Sequence, residues 1–186
     1  MKRLTILIDF DDVMNNLLSV WVEFLNEKYG TDVKKDDVKD WDMSLAFPSL
    51  TKSQVYEPLK SELLWKRVKP LPDAVEYVRK IMKDGHKIFV VTASNPETIR
   101  YKMLHVFQRY FGYLSYESVI VTSHKQMVKG DILIDDAPHN LEGGDYFGLL
   151  MDAPHNQKYD EYENGFVRVY DWKDIYKCIY LYANAR

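Results

Sequence analysis

Three carboxylates packed into four positions, Asp9, Asp11 and Asp12, follow directly on the apolar run Leu4 to Ile8. Asp9 and Asp11 are two apart, so at the end of an extended segment their side chains start on the same side. Like charges that close repel, and a divalent cation is their natural partner. A second acidic pair, Asp135-Asp136, ends another apolar run, DILI, and Lys125 stands ten residues before Asp135. Thr92, Ala93 and Ser94 close a third run, KIFVVT followed by AS. Acids, a hydroxyl and a lysine together outline a metal-dependent phosphoryl-transfer site. A phosphate monoester is a dianion, and Mg²⁺ shared between carboxylates and a phosphate oxygen removes its repulsion from the acids. One carboxylate can then attack phosphorus while a second protonates the departing alkoxide. Lysine and hydroxyl groups hold the phosphoryl oxygens as charge redistributes.

Each residue alone has a plainer reading. Asp is common in turns, a threonine ends many strands, and a loop lysine is ordinarily solvated. The pattern gains its force from the elements that must carry it. Continuous apolar runs such as Leu4 to Ile8, Lys87 to Thr92 and Ser118 to Thr122 read as strands buried on both faces of a parallel sheet. Asp131 to Ile134, Phe147 to Met151 and a weaker Phe166 to Val169 add three more. Helical spacing joins Leu17, Leu18, Trp21, Phe24 and Leu25 up to a stop at Gly30. It recurs over Val75 to Met82, with Pro72 suited to the first turn, and over Ile99 to Tyr110 behind a cap at Ser94 or Asn95. A last helix runs from Trp172 behind Asp171. Strands alternating with helices predict a three-layer α/β domain with a mostly parallel sheet. Every acid named above then falls at the carboxyl edge, where ligands of such sheets bind. Residues 16–71 lack the alternation, with Thr51 to Leu64 reading as one helix. They are expected to form a helical cap inserted in a core of residues 1–15 and 72–186.

Composition bounds the function. A chain of 186 residues with 46% hydrophobic and 28% charged residues suits one globular domain. A net charge of −3 argues against a general hold on a nucleic acid polymer or an anionic membrane, but allows a small phosphate ester. No apolar run approaches a membrane span, and the single cysteine, Cys178, fits a reducing compartment, so a cytoplasmic location is expected. Monomer and homodimer are both left open. His139 and His155 follow prolines in an echoed segment, Asp136-Ala137-Pro138-His139-Asn140 and Asp152-Ala153-Pro154-His155-Asn156. The echo reads as repeated turn chemistry or chance, and both histidines as surface residues.

The motif Asp9-Phe10-Asp11-Asp12-Val13 resembles the D-x-D-x-[T/V] signature of the haloacid dehalogenase-like (HAD) superfamily. Thr92, Lys125 and Asp135-Asp136 resemble its second, third and fourth motifs in order. Within the superfamily the chain is most similar to the 5′(3′)-deoxyribonucleotidases, through IDFDDV, VVTAS and the K-x9-DD spacing ending in LIDDAPHN. The resemblance implies Asp9 as nucleophile and Asp11 as acid and base. It implies a Mg²⁺ held by Asp9, the Asp11 carbonyl and Asp136, with Asp135 behind them. Thr92, Ala93, Ser94 and Lys125 would bind the phosphoryl group, and Trp41, with Tyr56 as a weaker candidate, would face the base of a nucleoside monophosphate. Two positions depart from the pattern: Asp12 stands where relatives usually have glycine, and Leu17 where the nucleotidases have an aromatic. A HAD phosphatase of another small ester, such as a sugar phosphate, is the alternative within the class. A non-enzymatic phosphate receiver is the alternative outside it, although receivers lack a long insertion after the first strand.

Overall fold

The computed structural model describes residues 2–185. Six strands, β1 (Thr5–Ile8), β2 (Lys87–Thr92), β3 (Val119–Val121), β4 (Ile132–Asp135), β5 (Phe147–Met151) and β6 (Val167–Val169), form one sheet in the order β3-β2-β1-β4-β5-β6. All five pairings are parallel. The strands fall within a residue or two of the runs expected from sequence. β1 is flanked by β2 on one side and β4 on the other, so the strand order reverses beside it, where α/β sheets open a crevice.

The pleat sorts the apolar residues onto two unequal faces. Ile6, Ile8, Ile88, Val90, Ile132, Ile134 and Leu149 pack into the large cluster. On that side lie α1 (Leu17–Tyr29), α4 (Ala74–Lys83) and α8 (Trp172–Asn184). A longer helical run also belongs to it: α5 (Pro96–Lys102), a π-helical segment (Met103–Phe107) and α6 (Gln108–Phe111). Leu7, Val91, Leu133 and Leu150 face the other way, onto the short α7 (Pro138–Leu141) and loop residues such as Tyr159 and Phe166. The third layer is therefore thin.

Between α1 and α4 lie α2 (Lys52–Tyr56), a 3₁₀ turn (Glu57–Lys60) and α3 (Glu62–Trp65). The single helix expected over Thr51 to Leu64 is broken in two places. Pro58 lacks the amide that would continue α2, and Ser61 adopts an extended backbone before α3. Thr51 does cap α2 through the amide of Gln54. Pro72 falls outside the helix it was expected to open: Asp73, at φ +62°, is the cap, and α4 begins at Ala74. Asn95 rather than Ser94 caps α5, accepting from the amides of Glu97 and Thr98. The inserted segment enters and leaves through one paired strip, Asn16 N to Lys69 O at 3.0 Å and Leu71 N to Met14 O at 3.0 Å.

Candidate active site

The carboxyl ends of β1, β2 and β4 bring the sequence-distant acids, hydroxyl and lysine together. Asp9 follows β1, its amide donating to Ile134 O of β4 at 2.9 Å, and Asp135 ends β4. Lys125, in a 3₁₀ turn (Lys125–Met127), reaches both from below. Its ammonium lies 2.5 Å from Asp9 Oδ1 and 2.6 Å from Asp135 Oδ2. Burial alone would lower the Lys125 pKa, but the charges of Asp9 and Asp135 outweigh it and hold the group above its ordinary value.

Carboxylate oxygens of Asp9, Asp135 and Asp136 lie within 4.8 Å of one another, inside the reach of one cation. The donor set is all oxygen, which suits a hard divalent ion. The three acids are not equivalent. Asp135 Oδ2 already accepts from Lys125, and Oδ1 accepts from Ala137 N and Asn140 Nδ2, both at 3.0 Å. Asp135 is thus the acid that turns the chain into α7. Asp9 and Asp136 line the cavity above and are left to offer ligands. Burial raises the Asp9 carboxyl to about 7, with Lys125 opposing and the charges of Asp135 and Asp11 adding to the rise. Burial also raises Asp135 and Asp136. Acids that resist ionising together are the groups a bound cation would relieve.

Asp11 turns away from this cluster. Its Oδ2 accepts from Lys102 at 2.5 Å and its Oδ1 from Asn15 Nδ2 at 3.2 Å. Asp12 has φ +56°, a left-handed backbone that glycine adopts freely and aspartate tolerates better than most residues. That conformation accounts for an aspartate at a position expected to carry glycine. The Asp12 carboxylate also gains work: both oxygens accept from Leu18 N, at 2.9 and 3.1 Å, in the first turn of α1. Burial first, and then Asp136, push its carboxyl well above the ordinary range.

A cavity of about 190 Å³ stands over the acids, floored by Asp9, Asp11, Asp136 and Lys125 and walled by Leu17, Leu18, Trp21, Met43 and Leu59. Ala93, Trp41 and Tyr56 line it too. The Tyr56 hydroxyl is engaged within the insertion, donating to Asp42 Oδ1 and accepting from Met43 N. Ser94 lies along a smaller neighbouring cavity, which shares Asp11, Leu17, Leu59 and Ala93 with the first and also holds Lys102. Thr92 is buried, its hydroxyl 2.9 Å from Lys102 Nζ.

Two expectations from the echoed segments need correction. His139 is exposed, as expected, but the His155 side chain is only 6% exposed and lies 3.1 Å from Asp136 Oδ2. Its burial comes from the chain folding back after β5, where Asn156 Nδ2 also donates to Asp136 O at 2.8 Å. Nor is the echo idle. The two turns follow adjacent strands, β4 and β5, and set both imidazoles edge-on to Trp41, at centroid distances of 5.1 and 5.3 Å. Lys102 and His155 are the residues that the sequence reading missed. The repeated Pro-His-Asn was a usable signal for His155; nothing local marks Lys102.

The family described as 5′ nucleotidase, deoxy (pyrimidine), cytosolic type C matches residues 3–186. A 5′(3′)-deoxyribonucleotidase of Bacillus subtilis is 33% identical over 176 residues, covering 94% of this chain and 97% of its own. One from Clostridium acetobutylicum is 31% identical over 172 residues, covering 92% of each chain. Among solved structures, a haloacid dehalogenase-like family hydrolase from Streptococcus pneumoniae superposes with a TM-score of 0.66 at 10% identity, over 95% of this chain and 98% of that one. A hydrolase from Pseudomonas syringae gives 0.58 at 16% identity, over 95% and 97%. These likenesses place the fold with the HAD hydrolases, as expected from the motifs. By sequence, the chain belongs to the 5′ nucleotidase, deoxy (pyrimidine), cytosolic type C family.

Proposed function

We propose that the protein is a Mg²⁺-dependent 5′(3′)-deoxyribonucleotidase that hydrolyses nucleoside monophosphates through an aspartyl-phosphate on Asp9. The observation that carries the reading is the meeting of Asp9, Asp136 and Lys125 on the floor of a cavity whose walls are largely apolar and aromatic. The names of the Bacillus and Clostridium relatives supply the substrate class. No helix among the described residues is long and apolar enough to cross a membrane, and the single cysteine supports work in the cytoplasm.

Asp9, the Asp11 carbonyl and Asp136 would hold the metal, whose charge, when bound, offsets that of the phosphate dianion. Lys125 and Thr92 hold phosphoryl oxygens, and Lys125 keeps the Asp9 carboxylate aimed into the cavity. An Asp9 oxygen attacks phosphorus and the bond to the ester oxygen breaks. The leaving oxygen takes the electron pair together with a proton from Asp11. Asp11, now a carboxylate, removes a proton from water, which attacks the same phosphorus. The Asp9–phosphorus bond breaks, releasing phosphate and restoring both acids. Residues 16–71 serve as the cap that excludes bulk water and selects by size. Leu17, Trp21 and Trp41 supply the wall for the nucleoside. Phosphate release from a panel of deoxynucleoside and ribonucleoside monophosphates, sugar phosphates and p-nitrophenyl phosphate tests the reading. Deoxynucleotides turning over no faster than sugar phosphates would leave only the phosphatase class standing.

A further inference from the structure

Lys102 has no part in the chemistry assigned above, yet it is among the most buried side chains in the protein, at 2% exposed. It ends α5 directly before the π-helical segment, a distortion that helices often carry at functional sites. The rings of Phe10 and Trp65 flank its ammonium at 5.9 and 5.5 Å. It makes two polar contacts, to Asp11 Oδ2 at 2.5 Å and to Thr92 Oγ1 at 2.9 Å. An ammonium donates and cannot accept, so Thr92 must accept here, and its own hydroxyl hydrogen points elsewhere. Asp11 has one other side-chain partner, Asn15, at 3.2 Å. Without Lys102, its carboxylate would be held on one side only.

We propose that Lys102 is a positioning residue for phosphoryl transfer. It fixes the Asp11 carboxyl in the orientation from which it protonates the leaving oxygen, and it turns the Thr92 hydroxyl so that its proton is donated to a phosphoryl oxygen. This rests on the functional reading given above. The Asp11 contact matters in proportion to how much the leaving group needs a proton. A nucleoside alkoxide needs it badly and p-nitrophenolate hardly at all. The Thr92 contact matters equally for both.

The experiment compares kcat/KM for a deoxynucleoside monophosphate and for p-nitrophenyl phosphate in wild type, Lys102→Met and Lys102→Gln, with thermal unfolding as the check on folding. General acid–base assistance is worth about 10²–10⁴-fold. Either variant that folds is expected to lose about 100-fold or more on the nucleotide and less than about tenfold on the aryl ester, the smaller loss being the Thr92 share. In an Asp11→Asn background, Lys102→Met should add no more than that smaller loss on either substrate, because the residue acts through Asp11. Equal losses on the two esters, or a full additional loss in the Asp11→Asn background, would overturn the proposal while leaving the phosphatase reading intact. A wild-type protein that releases phosphate from neither ester would remove that reading and this inference with it.

Discussion

The sheet edge and the inserted segment face each other across one cavity and are built by opposite rules. On the edge, charge is buried and tied: Asp9, Asp135 and Lys125 are all fixed by strand ends or by the turn between β3 and β4. The wall opposite is mostly apolar, with Leu17, Leu18, Met43 and Leu59, and the insertion adds one acid to the lining, Asp40. The Lys60–Glu97 ion pair to the core side is solvent-exposed, and a pair of that kind contributes about 0–1 kcal/mol. Trp41 meets the core through edge-on contacts with His139 and His155. Such aromatic pairs add roughly 0.5–1.5 kcal/mol beyond their burial. The contrast separates two tasks. On the proposed reading, reactivity is set where charge is buried and the backbone over-determined, and selection is left to a mostly apolar wall.

The harshest way to break this division is at the edge itself. Asp9→Asn should keep the fold, judged by circular dichroism, and lower phosphate release on the order of 10⁴-fold or more for every ester. An active variant would refute the covalent route. Removing divalent metal with a chelator should abolish turnover, and returning Mg²⁺ should raise the melting temperature. At a concentration of 100 times Kd the gain is about 2.7 kcal/mol, or roughly 5–10 °C for a chain of this length. Asp9 is raised to about 7 and Asp136 is raised as well, both by burial. Metal must therefore displace protons at acid pH and fewer as pH rises. The Mg²⁺-induced shift should be larger at pH 8 than at pH 5; the reverse order would mean that the ion binds elsewhere.

Cutting the opposite wall should do less, and do it selectively. Trp41→Ala is expected to raise KM for a nucleotide by roughly tenfold and to leave p-nitrophenyl phosphate nearly unchanged, since stacking on a base is worth about 1–3 kcal/mol. If both substrates change equally, Trp41 serves only to close the insertion onto the two histidines. The smallest effect belongs to the junction between the regions. Asp12→Ala loses the tolerance of a left-handed backbone and the acceptor for Leu18 N, so urea unfolding should show a loss of about 1–2 kcal/mol. Asp12→Gly gives up the acceptor but relieves the backbone, and should stay within about 1 kcal/mol of wild type.

What could be read from sequence follows the same division. Strands buried on both faces announce themselves as unbroken apolar runs, and acids placed at their ends fall on one edge whatever lies between them. Asp9, Lys125, Asp135 and Asp136 were legible for that reason. Lys102 was not, because a lysine in a mixed helix looks solvated until Phe10, Asp11, Trp65 and Thr92, from three other stretches of chain, close around it. The inserted segment was legible as an interruption but not in its parts. Its short helices are held by packing against α1 rather than by their own periodicity, and Pro58 and the extended Ser61 divide what reads as one. Asp12 shows a third case, in which a departure from a motif is visible but its meaning waits on a backbone angle.

Of the four tryptophans, Trp21 and Trp41 line the cavity, and of these two Trp41 is the one open to solvent. Trp21, Trp65 and Trp172 are at most 9% exposed, whereas Trp41 is 56% exposed and lies between two imidazoles. A dissolved quencher such as iodide therefore meets one indole well before the others. Emission from the unlabelled protein becomes an optical record of whether the insertion rests on the two Pro-His-Asn turns or has lifted from them. Stopped-flow fluorescence could follow that movement through a single turnover, with no dye attached and no residue changed.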